Sequence, residues 1–306
     1  MSLETDLIID RRRLKKRLAL WRIGTIVAVI LLAIVAIGRS GVAPGGAYVA
    51  RLNVRGIITE QPKLVEAIRA LADNAAVKAV IVSIDSPGGA VAGGESLHGA
   101  ILHVAGKKPV VAVMGGTAAS AGYMIAMPAA RVFAREATLT GSIGVILQTG
   151  EVSGLLRTLG VSAEAITSGA LKDQPSMTKP MSAEGRAVLQ GLVMDLYDQF
   201  VGMVAAGRHM EPARVRELAD GRAYSGRQAL KLGLVDAIGG EAEARAWLAS
   251  EKGVSATLPV RNVKIGGLAA DLWGEDAEGL FAGLIKNLLS QGLRLDGAWA
   301  IWQPGN

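Results

Sequence analysis

Cysteine is absent from this sequence of 306 residues. Disulfide bonds, thiolate nucleophiles and cysteine-ligated metal ions are therefore excluded. The absence does not fix the redox compartment, although it is compatible with an oxidising one. Histidine is also scarce, with three residues, and aromatic residues make up 4% of the chain. Nucleophilic chemistry in this protein must therefore use a side chain other than cysteine.

The remaining composition is typical of a folded α/β protein. Hydrophobic residues make up 50% of the chain, charged residues 20%, and glycine is abundant at 39 residues. This balance argues against disorder and provides enough apolar surface for one large domain or two modest ones. Strand and helix patterns alternate over residues 47–252, so we predict an α/β domain there. A glycine-rich linker at 39–46 precedes this domain.

The net charge of +6 comes mainly from residues 1–22, in which residues 1–17 form a basic N-terminal arm. Seven basic and three acidic residues fall within positions 1–22, and residues 23–37 then carry no charge. With its flanking residues, this run extends over residues 18–38, about the 20 residues that a helix needs to span a bilayer. The basic cluster precedes this run, so the arm stays cytoplasmic and the domain crosses the membrane. This predicts an uncleaved transmembrane helix and no nucleic-acid partner.

A cleaved signal peptide is the competing interpretation of the same residues. Gly38-Arg39-Ser40 is a poor small-x-small cleavage site, and the apolar run is long for a signal peptide.

At the other end of the chain, the predicted tail 253–306 carries an amphipathic helix over Glu278–Leu289. This helix could pack on its own domain, on another subunit or on a membrane surface.

A strand-to-helix junction near the middle of the domain organises the site prediction. The apolar strand Pro109–Met114 leads into small residues, and a helix is predicted over Ala119–Met127. Ser120 therefore lies among backbone N–H groups that have no helical partner, where the helix dipole favours negative charge. A nucleophile is well placed there, although a tight packing junction explains the same residues. A turn over Asp85–Gly89 and a strand over Ala163–Thr167 are also predicted.

Ser120 needs a base to act as a nucleophile, and two residue types are available. His98 and His103 share one predicted helix at poor same-face spacing, and His209 ends a long helix, so no histidine triad is supported. Lysine is the alternative, because a neutral lysine side chain can accept the proton. Lys172 follows apolar residues in an irregular segment, where it is either that base or a solvated surface lysine.

Four stretches, in order, resemble the signal peptide peptidases of the SppA type. Asp85-Ser86-Pro87-Gly88-Gly89 is similar to that family's oxyanion turn, and Thr117–Tyr123 to its nucleophile motif. Thr140–Val145 is similar to the segment with its accessory serine, and Ser168–Asp173 to its general-base motif. The resemblance covers roughly residues 47–250. It implies a Clp-protease/crotonase-like core of layered sheet and helices.

The resemblance also implies a role for each matching residue. Ser120 would be the nucleophile, Lys172 the general base, and Ser142 the hydroxyl that orients the lysine. Gly88 or Gly89, with the backbone N–H of Ala121, would form the oxyanion hole. Members of the family form rings in which the lysine can come from a neighbouring subunit. No metal ion, nucleotide or other cofactor is implied.

The sequence therefore predicts a serine–lysine endopeptidase tethered to a bacterial-type inner membrane, with its catalytic domain extracytoplasmic. Its substrates would be hydrophobic peptides such as released signal peptides. One alternative is a non-catalytic scaffold with the same fold, which organises membrane partners. Another is a crotonase-type enzyme that uses Gly88 and Gly89 to polarise an acyl thioester. Ala121 and Met124 depart from the family's usual residues, and we expect them to alter the shape of the pocket.

Overall fold

The computed structural model describes residues 46–264 and, near the N terminus, residues 15, 17, 18, 20–26, 28 and 29. The described N-terminal residues are helical and exposed. None of the helices in these ranges is both long enough and apolar enough to cross a membrane. The predicted anchor at 18–38 lies only partly within the described residues. The predicted tail helix Glu278–Leu289 lies outside them.

One sheet contains the strands of residues 46–264, and its pairings are parallel apart from that of β5 with β6. The order along it is β6-β5-β3-β2-β1-β8, with β4 beside β3 and β7 beside β4. Parallel strands need crossover connections, which helices supply here. The α/β prediction is confirmed. The strands are β1 Tyr48–Ile58, β2 Val77–Gly89, β3 Val110–Ala119, β4 Arg131–Ala134, β5 Leu139–Gly141, β6 Ala223–Ser225, β7 Ala237–Ile238 and β8 Val260–Asn262.

Helices cover both faces of the central strands. On one face, β2 packs through Val80, Val82 and Ile84 in a core shared with α1, α2, α3 and α5. On the other face, Ala79 and Ile81 pack in a smaller core with α8. Burial on both faces explains why β2 reads as a continuous apolar run. The helices are α1 Pro62–Ala70, α2 Val91–Ala105, α3 Ala121–Met124, α4 Ser153–Thr158, α5 Ala183–Arg208, α6 Pro212–Leu218, α7 Gly226–Lys231 and α8 Glu241–Lys252.

Two predicted boundaries near Ser120 are wrong. Strand β2 continues through Asp85–Gly89, where a turn was expected. Strand β3 continues to Ala119, and helix α3 is a single short turn. The register explains both, because Ile84 pairs with Met114 whereas Ser86 pairs with Ala118. A bulge at Gly115 and Gly116 therefore absorbs extra residues and lets β3 continue beside β2.

The strand predicted over Ala163–Thr167 is also wrong, since these residues are exposed and form no strand. Ile166 is 99% exposed, and the alternating pattern has no partner strand within residues 46–264. Strand β5 ends at Gly141, and residues 142–150 after it form no strand. At the other end of the domain, the expected boundary was residue 252. Strand β8 lies after this residue and pairs with β1.

Candidate active site

Ser120 occupies a strained turn between β3 and α3. Its φ of 54° and ψ of −124° place a non-glycine residue in a sparsely populated backbone region. Such strain persists only where the surroundings hold it, and it clusters at functional sites. The Ser120 N–H donates to Gly141 O at 2.9 Å, and its carbonyl accepts from the N–H groups of Tyr123 and Met124. The turn is therefore fixed on both sides of the serine.

Three polar side chains hold the last residues of β3 in place. Asp85 accepts the Thr117 N–H at 3.0 Å through Oδ1. The Thr138 hydroxyl donates to Gly115 O at 2.7 Å, and the Thr140 hydroxyl donates to Ala118 O at 2.8 Å. These bonds satisfy backbone groups that the bulge removes from the regular ladder. Sequence reasoning missed all three bonds, because each joins positions more than 20 residues apart.

Gly88 lies directly against Ser120. A Cβ placed on Gly88 would be 2.7 Å from Ser120 Cβ and 3.1 Å from Ala121 N, and the φ of Gly88 is +109°. A residue with a side chain here would clash with Ser120 and would also adopt a strained backbone conformation. A Cβ on Gly89 would lie 2.0 Å from Ile58 O in β1. The structure therefore brings the expected glycine turn, Ser120 and the amide of Ala121 together.

Ala121 and Met124, which were expected to alter the shape of the pocket, lie in the interior of the domain. Both side chains are buried, at 3% and 2% exposure. A Cβ on Gly94 of α2 would lie 2.9 Å from Ala121 Cβ and 3.1 Å from Met124 Sδ. The two residues therefore pack α3 against α2, and the backbone N–H of Ala121 is its contribution to the site.

Ser142 leaves the strand next to that of Ser120. Ala119 pairs with Gly141, so the two serines follow paired residues at the ends of parallel strands. Ser142 also has a positive φ, 47°, and its N–H donates to Arg222 O at 2.9 Å. Neither serine hydroxyl forms a hydrogen bond within the described part of the chain. Two unpaired hydroxyl groups therefore end neighbouring strands.

Lys172 lies apart from this arrangement. It is exposed in a turn in which its N–H donates to Gly169 O at 3.0 Å. Within residues 46–264, its ammonium group makes no hydrogen bond or ion pair. The neighbouring Asp173 faces Lys179 at 3.7 Å instead. The structure thus joins Ser120, Ser142, Gly88 and Ala121, and does not link Lys172 to them by any bond.

Comparison with known proteins decides the family. A match to Peptidase family S49 covers residues 103–255, half of the chain. This chain belongs to peptidase family S49. The matched region contains Ser120, Ser142 and Lys172 and begins after Gly88 and Gly89. The predicted SppA-type protease family is confirmed, and with it the enzyme class, a serine protease that acts as a hydrolase.

Individual relatives agree with this assignment. A protein of Synechocystis sp. named as a protease is 40% identical over 208 residues, which are 67% of this chain and 75% of that protein. A protein of Enterococcus faecium named signal peptide peptidase SppA is 42% identical over 188 residues, 60% of this chain and 54% of its own length. The chloroplastic serine protease SPPA of Arabidopsis thaliana is 35% identical over 185 residues, 60% and 27% respectively. The chain thus spans only part of the latter two relatives.

Histidine is a common partner of a catalytic serine, and the three histidines of this chain lie within the described residues. His98 and His103 lie on α2, and His209 ends α5 in a left-handed conformation. None of them hydrogen-bonds Ser120 within residues 46–264. Partial burial lowers the pKa of His98, which favours its neutral form. The described residues of the chain also contain no group of three or more His, Asp or Glu side chains that could bind a metal ion.

A buried network anchors the helix that follows Ser120. The Tyr123 hydroxyl donates to Leu234 O at 2.7 Å, and burial raises the pKa of this side chain. The adjacent Gly233 O accepts from Arg208 Nε at 2.8 Å, and the Arg208 guanidinium forms a bidentate pair with Asp236. Burial opposes ionisation of Asp236, but the Arg208 hydrogen bonds and charge outweigh it and lower its pKa. This S49 domain therefore ties α3 to α5 and to the loop before β7.

Proposed function

We propose that this S49 peptidase is an endopeptidase that cleaves hydrophobic peptides by acylation of Ser120. The observation that carries the proposal is the strained Ser120 turn with Gly88 and the Ala121 amide against it. Strand-to-helix turns of this kind expose a nucleophile beside backbone donors. Peptide hydrolysis fits the family better than the scaffold or the acyl-thioester alternative. We also propose that the sheet and helices form the Clp-protease/crotonase-like core.

The reaction follows from the roles of these groups. Ser120 Oγ attacks the scissile carbonyl carbon, and its proton passes to the neutral Lys172 Nζ. The N–H of Ala121 and an N–H of the Gly88–Gly89 turn stabilise the negative oxygen of the tetrahedral intermediate. Lys172 then returns the proton to the leaving amine. Water hydrolyses the acyl-enzyme in a second attack with the same base, and Ser142 holds the lysine in line.

Lys172 is exposed within its own chain, whereas burial is what favours the neutral form in which a lysine accepts a proton. The segment of residues 146–179, which contains Lys172, carries exposed apolar side chains. Among them are Ile146 at 81%, Leu159 at 66% and Met177 at 63% exposure. Exposed apolar surface of this kind is typical of protein interfaces. We infer that chains assemble into a ring through this segment, and that one subunit's Lys172 serves the Ser120 of a neighbour.

The proposed substrates and location rest on the relatives and on the N terminus. The Enterococcus faecium relative is named a signal peptide peptidase, which suggests released signal peptides as substrates. Such peptides arise at the membrane, where residues 18–38 would anchor this chain. The described helical residues of that segment expose Leu20, Trp21 and Ile23 at 60% or more, as an anchor would. The domain would then lie on the extracytoplasmic side of a bacterial-type inner membrane.

Covalent labelling tests the proposed nucleophile. The full-length protein, solubilised in detergent, is treated with a hydrophobic peptidyl fluorophosphonate, and the adduct is mapped by mass spectrometry. We expect a single adduct on Ser120 and parallel loss of peptidase activity. The matched control is Ser96→Ala, an exposed serine of α2, which should be labelled like the wild type. An adduct on another residue that accompanies the loss of activity would reject Ser120 as the nucleophile.

A further inference from the structure

Ser86 has a buried hydroxyl group and lies in β2, next to the two glycines proposed for the oxyanion hole. Its exposure is 0%, and it pairs with Ala118 of β3 just beyond the bulge. Burying a hydroxyl is unfavourable unless it is hydrogen-bonded. The partner of this hydroxyl therefore indicates why the position is polar.

That partner is the backbone of Gly88. The Gly88 N–H donates to Ser86 Oγ at 3.1 Å, and Gly88 O lies 3.5 Å from the same oxygen. Gly88 is the residue against Ser120, and its φ of +109° is one that a glycine adopts without strain. Ser86 therefore helps to fix the orientation of the Gly88 backbone, together with the pairing of Gly88 with Ile57. The Gly88 N–H, once bonded in this way, is no longer available to a substrate.

The pairing of β2 with β1 indicates the direction of the next amide, that of Gly89. Gly89 pairs with Ile58 of β1, and the Ala90 N–H donates to Ile58 O at 2.9 Å. In a parallel pair, a residue bonds the residues before and after its partner, so Ile58 is the bonding member of this pair. The Gly89 N–H then points away from β1, toward β3 and the strand end that carries Ser120.

Ser86 also touches the other side of the site. A Cβ placed on Gly122 of α3 would lie 2.8 Å from Ser86 O and 3.4 Å from Ser86 Cβ. Ser86 thus packs against the first turn of the helix whose leading amide is that of Ala121. One buried residue therefore contacts both elements that supply candidate oxyanion donors.

We propose that Ser86 is a positioning residue, which holds the Gly88 peptide so that the Gly89 and Ala121 N–H groups converge on the oxyanion of the acylation intermediate. The inference rests on the proposed function and selects Gly89 over Gly88 as the donor. A hydroxyl is needed because two adjacent glycines have wide backbone freedom. Donors stabilise a transition state well only when they are oriented before the reaction.

The test separates transition-state stabilisation from substrate binding. Ser86→Ala is made in the full-length, detergent-solubilised protein and assayed with a fluorogenic hydrophobic peptide. We expect kcat to fall by about 10- to 100-fold, with KM within about two-fold, because the donors act mainly in the transition state. Inhibition by a peptide aldehyde, whose adduct oxygen occupies the oxyanion hole, should weaken by a similar factor. The pH dependence of kcat should stay unchanged, since the base is not altered.

Two further variants keep the proposal falsifiable. Ser86→Cys retains a weak acceptor and should recover part of the lost kcat. Tyr224→Phe removes another buried hydroxyl, which donates to Leu218 O at 3.0 Å and not to Gly88. It should lower the unfolding temperature about as much as Ser86→Ala while preserving kcat and aldehyde affinity.

The proposal is overturned if Ser86→Ala keeps the wild-type kcat and aldehyde affinity. It is equally overturned if Tyr224→Phe reproduces the kcat and aldehyde losses, since the effect would then be one of general packing. Failure of the proposed function looks different, because the wild-type protein itself would then yield no Ser120 adduct.

Discussion

The Ser120 turn and the Lys172 segment are built in opposite ways. Around Ser120, buried strands and hydrogen bonds from Gly141, Tyr123 and Met124 fix a strained backbone. Around Lys172, the chain is irregular and exposed, and the ammonium group has no bonded partner in the described residues. The nucleophile half of the proposed dyad is therefore organised within one chain. The difference suggests that the base half is completed by assembly.

Removing the nucleophile should have the largest effect. Ser120→Ala is expected to lower kcat/KM by about 10⁴-fold or more, because the covalent step is lost. The Ser120 hydroxyl forms no hydrogen bond within residues 46–264, so the unfolding free energy should change by less than about 0.5 kcal/mol. Peptidase assays and thermal unfolding check both expectations. Retained activity would place the nucleophile elsewhere.

Removing the base should be the next largest effect and should depend on assembly. Lys172→Ala is expected to lower kcat by about 10³-fold, as for loss of a general base. Lys179→Ala, at the other lysine of the segment, is the control and should stay near wild type.

Mixing the two inactive proteins tests the origin of the base. If each site combines residues of adjacent subunits in a ring, co-assembled Ser120→Ala and Lys172→Ala chains should recover up to about a quarter of wild-type activity. This fraction follows because a productive site needs an intact serine and, from the neighbour, an intact lysine. No recovery in verified mixed oligomers would mean that both residues act within one chain.

Crowding the Ser120 turn should have an intermediate effect. Gly88→Ala places a methyl group 2.7 Å from Ser120 Cβ at a positive φ, so we expect about a 100-fold loss of kcat. The unfolding free energy should fall by about 1–3 kcal/mol, because the strained backbone has no room to relax. Gly99→Ala in α2 has open space around it and serves as the control. It should retain activity and be slightly more stable than the wild type.

The Arg208–Asp236 pair should affect stability more than chemistry. Asp236→Asn leaves Arg208 buried without its counter-charge and should cost about 3 kcal/mol near neutral pH. The folded-state pKa of Asp236 is lowered, so its stabilisation is complete above the unfolded-state pKa and is lost as pH falls through the folded-state value. Urea unfolding at several pH values should therefore show less loss of stability in acid for the variant.

An exposed pair provides the matched control for that experiment. Asp198 and Arg216 lie 3.1 Å apart, with both side chains about half exposed. Asp198→Asn should change the unfolding free energy by less than about 1 kcal/mol, since solvent screens surface pairs. Equal losses for the two variants would show that the buried pair does not stabilise the anchor of α3.

Local patterns predicted the elements that local chemistry determines. Pro62 lies at the start of α1 and Ser182 caps α5, and both are local signals, as are the apolar runs of the central strands. Ser120 was also visible, because the strand and the small residues around it are contiguous. The continuation of β3 to Ala119 was not, since it depends on pairing with β5 across the bulge.

The support of the site was hidden from the sequence for the same reason. Ser86, Asp85 and Thr140 are ordinary polar residues until the fold brings their backbone partners to them. Lys172 is the converse case. Its motif was readable, but the burial that a catalytic lysine needs is not supplied by its own chain in the described residues.

The most direct test of this contrast measures Ser120 labelling as a function of assembly. Detergent-solubilised protein is diluted or separated into oligomer and monomer, and the rate of fluorophosphonate labelling at Ser120 is measured in each fraction by mass spectrometry. If assembly supplies the base, we expect rapid labelling of the oligomer and, in the folded monomer, labelling slowed to the rate of Lys172→Ala. Equal labelling rates in monomer and oligomer would contradict it.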